Sequence, residues 1–164
     1  MSTQRRSYET GHTPKCLVIV DDTAESDRAV YYASRWAIRV NGGVVMLRVI
    51  ETEDQNQQWL GVADIMRAEA LEEANAALDR AAGRANGIAG ITPERVIREG
   101  DPTEQILDVI DKDVDISLLV LAANPGPEGP GPIIATMANA VGSFPIPVTI
   151  VSGDLSDDDI DALS

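Results

Sequence analysis

At 164 residues, 44% hydrophobic and 24% charged, the chain has the size and make-up of one globular domain with a core of its own. A net charge of -14 and the lack of any basic stripe argue against nucleic-acid and anionic-membrane partners. No apolar run nears the ~20 residues of a membrane span, the opening "MSTQRRSYETGHTPK" lacks a signal-peptide core, and a single cysteine suits a reducing compartment, so the cytoplasm is expected.

Residues 1–14 show no periodicity and read as a flexible arm. "KCLVIV" follows, a continuous β-branched run suited to a strand buried on both faces. Beyond "DDTAES" a helix is expected to about Arg39, capped by Thr23 or Ser26 and ended by Asn41-Gly42-Gly43. "VVMLRVI" is a second buried strand. A long Ala- and Glu-rich helix then runs from about Trp59 to Ala85, with Leu71, Asn75, Leu78 and Ala82 at helical spacing and Gly83 and Gly87 at a fraying end.

"RVIREG" is a third strand, polar enough to lie near an edge. In "GDPTEQILDVIDK", Asp101 is an N-cap, Pro102 takes the first helical position and Glu104 stands where a capping-box acid belongs. "DISLLVLAA" is the fourth and most apolar strand. A Pro/Gly loop leads to a short helix in "IIATMANAVG", and "PVTIVS" is the fifth strand. Alternating strands and helices imply parallel crossovers and an α/β sheet covered on both faces. One domain is expected over 15–152, followed by a carboxylate-rich segment, 153–164, that reads as a solvated tail.

The stretches "VIVDDTAESDRAVYYA", "VMLRVI", "REGDPTEQILDVI", "VDISLLVLAA" and "PIPVTIV" resemble, in that order, the landmarks of the universal stress protein family. The resemblance implies a doubly wound, five-stranded parallel sheet of order 3-2-1-4-5, and a homodimer. Its ligand crevice would lie where the winding reverses, between the first and fourth strands, at their carboxyl ends. Asp21 would then stand at the adenine and ribose end and Val49 would pack against the base. Asp21 reads equally as a turn-capping residue, and Val49 as plain core.

The family's ATP-binding pattern is Gly-x-x-Gly, about nine residues, then Gly-Ser or Gly-Thr, because glycine lets backbone N–H groups approach phosphate. Laid onto "LVLAANPGPEGPGP", it falls on Ala122, Pro125, Ala135 and Thr136; a second register uses Gly126 and Gly129. Neither is complete. Four prolines in "NPGPEGPGP" delete donors, Glu128 brings a negative charge, and the loop holds no Lys or Arg. Arg48 would offer a compensating positive charge near the crevice, and reads equally as a strand residue facing solvent.

No catalytic constellation is evident. The one histidine, His12, lies in the arm, Cys16 sits inside an apolar run, and no zinc-type spacing occurs. The expectation is therefore a non-enzymatic, cytoplasmic stress-response domain without cofactor or metal. It would dimerise through the last strand, Val148 to Val151, and act through a protein partner or small ligand. The alternative is an ATP-binding member, with Mg²⁺ and at most slow hydrolysis.

Overall fold

The computed structural model describes residues 3–51 and 60–164. Strands β1 (Lys15–Ile19), β2 (Gly43–Ile50), β3 (Glu94–Glu99), β4 (Ile116–Ala123) and β5 (Val148–Ser152) form one sheet of order β3-β2-β1-β4-β5. Every pairing is parallel. This is the expected doubly wound order, with polar β3 at one edge and β5 at the other.

Alternation along each strand feeds two cores. Cys16, Val18 and Val20 of β1, with Val44, Met46 and Val120, face α1 (Ser26–Val40) and α2 (Leu60–Ala89). Leu17 and Ile19, with Val45, Leu47, Leu119 and Leu121, face α3 (Pro102–Lys112) and α4 (Pro132–Met137). A strand loaded on both faces needs an unbroken apolar run, and "CLVIV" supplies one.

The helix boundaries show where local signals were outvoted. Neither Thr23 nor Ser26 caps α1: Glu25 holds the N-cap position without a side-chain bond, while Ser26 Oγ accepts the Asp21 N–H. Asn41, at φ 54°, ends the helix in the left-handed conformation, and the Gly42 N–H closes onto Ala37 O at 2.8 Å. A side chain at Gly42 would collide with the Pro14 carbonyl, so glycine is required there by close approach.

Helix α2 runs through Gly83 and Gly87 instead of fraying, because Ala81, Ala82 and Ala85 are buried against the sheet. It stops at Gly90, φ 66°. Asn75 is exposed and bonds back to Leu71 O at 3.0 Å; Ala74, Ala77 and Leu78 form the buried stripe instead. Trp59, where this helix was expected to begin, lies outside the described residues. Helix α3 starts as read: the Asp101 carboxylate accepts the Glu104 N–H at 3.0 Å, and Pro102 follows the cap.

Both chain ends depart from the expected arm and tail. At the N-terminal side, Arg5 donates to the carbonyls of Ile110 and Asp113 at 2.6 and 2.9 Å, satisfying free C=O groups around the end of α3. Ser7 is buried, and His12 Nδ1 lies 2.6 Å from Asp115. The segment is therefore tied to the α3–β4 turn, and His12 is held in place.

Residues 157–163 form a further helix, α5 (Asp157–Leu163). Ser156 and Asp159 make a complete capping box, and Ile160 is fully buried in the α1-side core. Tyr31 donates to Asp161 at 2.8 Å, and Arg28 bridges to Asp157 at 2.8 Å. The carboxylates that suggested a solvated tail are the polar side of an amphipathic turn docked on α1.

Candidate functional site

The reversal of winding lies between β1 and β4, and both strands end there in sharp turns. After Val20, Asp21 folds into a turn: its Oδ1 accepts the Thr23 N–H at 2.9 Å and the Thr23 hydroxyl as well. The turn-capping reading describes what this carboxylate does here.

Neighbouring Asp22 has a different partner. Arg48 grips it with both guanidinium nitrogens, at 3.1 and 2.7 Å, and holds its carboxyl below the ordinary carboxylate range. The cation expected to compensate a phosphate is therefore already neutralised. Val49, one residue on, is half-buried against the α3/α4-side core, as the plain-core reading has it. The Ala122 side chain packs on the opposite, α1-side core.

The loop after β4 is closed upon itself. The Asn124 N–H donates to Pro130 O at 2.9 Å, and the Gly126 N–H to the Asn124 side chain at 2.8 Å. Prolines 125, 127, 130 and 132 have no N–H at all. Between Asn124 and Pro132 that leaves three N–H groups, of Glu128, Gly129 and Gly131, without a partner among the described residues. Gly129 and Gly131 have φ of 107° and 102°, which glycine alone adopts without strain.

Ala135 and Thr136 do not stand at the entrance of α4. The helix begins at Pro132, so the Ala135 N–H is already donated to Gly131 O at 3.0 Å, and Thr136 lies exposed in the second turn. The residue at the entrance is Gly131. The physical reason is the proline: fixed φ and no N–H make Pro132 a favoured first helical residue, which shortens the loop.

The two turns do meet, through a residue the sequence reading passed over. A side chain at Gly131 would come within 3.0 Å of Glu25 Oε2, and one at Gly153 within 3.0 Å of both Glu25 Cβ and Pro125 Cδ. Glu25 thus fills the junction between the β1–α1 turn, the proline loop and the end of β5. Glu128 folds back over Gly126, so that a side chain there would overlap its carboxylate. Two carboxylates flank the backbone that would have to receive a phosphate, and the loop has no basic residue. In the sequence, "DDTAES" shows no more than an acid directly before a helix; the partners of Glu25 are distant in the chain.

Elsewhere the chemistry is spare. Cys16 is fully buried, and burial pushes its thiol well above the usual range, which leaves it unreactive. Among the described residues no group of three or more His, Cys, Asp or Glu is placed to hold a metal ion, and no helix is long and apolar enough to cross a membrane.

A model of the universal stress protein family matches residues 13–152. No curated protein matches the chain. Among solved structures it resembles a universal stress protein from Lactobacillus plantarum, at 20% identity and a TM-score of 0.73, covering 84% of this chain and 97% of that one. A universal stress protein in complex with cAMP gives 20% identity and a TM-score of 0.62, with 86% and 98% covered. A family member from Arabidopsis thaliana with AMP bound gives 19% and 0.57, with 85% and 91% covered. At these identities the likeness concerns the fold.

Proposed function

The chain belongs to the universal stress protein family, and from that premise we propose that it acts as a non-enzymatic, homodimeric stress-response domain with a degenerate nucleotide crevice, engaging a protein partner or small ligand in the cytoplasm. The observation that carries this reading is the donor count in the loop. Four prolines and two internally committed N–H groups leave little to grip a triphosphate, and Glu25 and Glu128 oppose its charge.

Support for the dimer comes from β5. It is an edge strand whose only strand neighbour among the described residues is β4, and Ile150 on it is 52% exposed. Pairing with a second copy would satisfy its free N–H and C=O groups.

A second reading, an ATP-binding member with at most slow hydrolysis, is favoured by the AMP and cAMP complexes among its structural relatives. Asp21, Val49 and the three free N–H groups of the loop would be its contacts. Denaturing freshly purified protein and analysing the supernatant by mass spectrometry separates the two. The proposal expects no nucleotide and a flat calorimetric titration with ATP and Mg²⁺. Near-stoichiometric nucleotide would replace it with the second reading.

A further inference from the structure

On the far side of the sheet from α3 and α4, helices α1 and α2 leave an open cleft of about 430 Å³ at the end of β1. That volume is within the ~300–1,000 Å³ typical of small-ligand sites. Val20, Val30, Ala77 and Ala81, all buried, supply its apolar lining. The family match does not assign it a ligand, and it is separate from the proline loop, none of whose residues line it.

The charges around this lining are unevenly satisfied. Asp22 is held by both nitrogens of Arg48. Asp27 is bridged by Arg28 at 2.6 Å and by Arg84 at 3.0 Å. Arg84, besides, lies 3.7 Å from Asp157 of α5. Arg80 alone among the lining ions is exposed and makes no hydrogen bond or salt bridge to any described residue, although it lies near enough to Asp22 to help keep that carboxyl ionised. A guanidinium carries five N–H donors in a planar fork suited to a carboxylate. The Asp21 carboxylate, in the turn after β1, has only Thr23 as partner among the described residues and disfavours a second negative charge in the ligand.

We infer that the α1–α2 cleft is a second binding site, for a small organic monoanion whose apolar body lies on the valine and alanine lining and whose carboxylate is received by Arg80. The inference goes beyond the reading of the proline loop and does not depend on it. AMP and ATP, with more than one negative charge and a large polar sugar, do not suit the cleft.

Benzoate is the simplest probe of this chemistry, and benzamide is its uncharged counterpart. In an amide NMR titration of the full chain at low salt, benzoate should give saturable shifts at Thr23, Val30, Ala77 and Ala81, and benzamide much weaker ones. R80Q should weaken benzoate binding about tenfold, the effect of one charge-assisted hydrogen bond. R80K should recover part of the loss, and K112Q, on the opposite face, should change nothing. The inference is overturned by equal shifts from benzoate and benzamide, by shifts that map to residues 124–131, by an R80Q protein that binds as well as the native one, or by no shifts at all.

Discussion

Replacing Glu25 and Glu128 together by glutamine should turn a loop that repels phosphate into one that tolerates it. Their carboxylates lie against Gly131 and Gly126, the backbone on which an anion would rest. A pair of like charges at ~4 Å costs about 1 kcal/mol in water and about 4 kcal/mol at an effective dielectric of 20. Glu128 is exposed and Glu25 half-buried, so the aqueous figure is the appropriate one. Two such terms give about 2 kcal/mol, roughly thirtyfold in affinity. AMP is the ligand to use, titrated by NMR into native and E25Q/E128Q protein at about 0.01 M and about 1 M salt, where the screening length falls from ~30 to ~3 Å. The gain should appear at low salt and largely vanish at high salt. Equal affinities at low salt, or a gain that survives 1 M salt undiminished, would refute the electrostatic account of this loop.

Ile160→Ala should lower stability by about 2–5 kcal/mol, read from denaturant or thermal unfolding, because the side chain is fully buried and closes the α1-side core; a change near zero would mean α5 does not dock. For the proposed dimer, the native chain should sediment at twice the mass of one chain, and Ile150→Lys on the edge strand should reduce this to one while circular dichroism stays unchanged. The Arg48–Asp22 pair lowers the Asp22 carboxyl, so its stabilisation is complete above the unfolded value of about 3.9 and is lost as the pH falls through the lower folded one. With Asp22 66% exposed the effect should stay under ~1 kcal/mol, and Arg48→Met should flatten that part of the acid-unfolding curve. Cys16 should resist a thiol reagent in the native state and react only on unfolding, as its burial and raised thiol value require.

The doubly covered first strand and the start of α3 could be read from the chain because each signal acts alone, whereas the sheet order rested on the family resemblance. An unbroken run such as "CLVIV" has no comfortable place except between two covered faces, and Asp101-Pro102 caps a helix whatever lies beyond it. The α4 entrance could not be placed that way. The helix begins one residue before the expected Ile133, with Pro132 in the first position through its fixed φ, and that leaves Ala135 and Thr136, where the family pattern puts its last glycine and hydroxyl, inside the helix.

Glu25 was missed because its importance lies in a meeting of three segments, at Gly131, Gly153 and Pro125, far apart in sequence. The last helix had a local signal that its charge concealed: Ser156 followed three positions on by Asp159, then Ile160, is a capping box ahead of an apolar anchor. At the other end, Arg5 gave no such warning. Its partners around the end of α3 are backbone carbonyls more than a hundred residues away.

The placement of β1 between β2 and β4 also governs how the domain is assembled. Its first neighbour arrives early, with Lys15 opposite Gly43, but its second strand partner begins with Ile116. Until that distant segment closes the ladder, a strand apolar from Cys16 onward keeps one row of N–H and C=O groups open, the state most prone to sticking to other chains. Such long-range closure makes refolding slow for the size of the domain. Recovery from denaturant should therefore fall steeply as protein concentration rises, with aggregation competing for the species whose central strand is still half-paired.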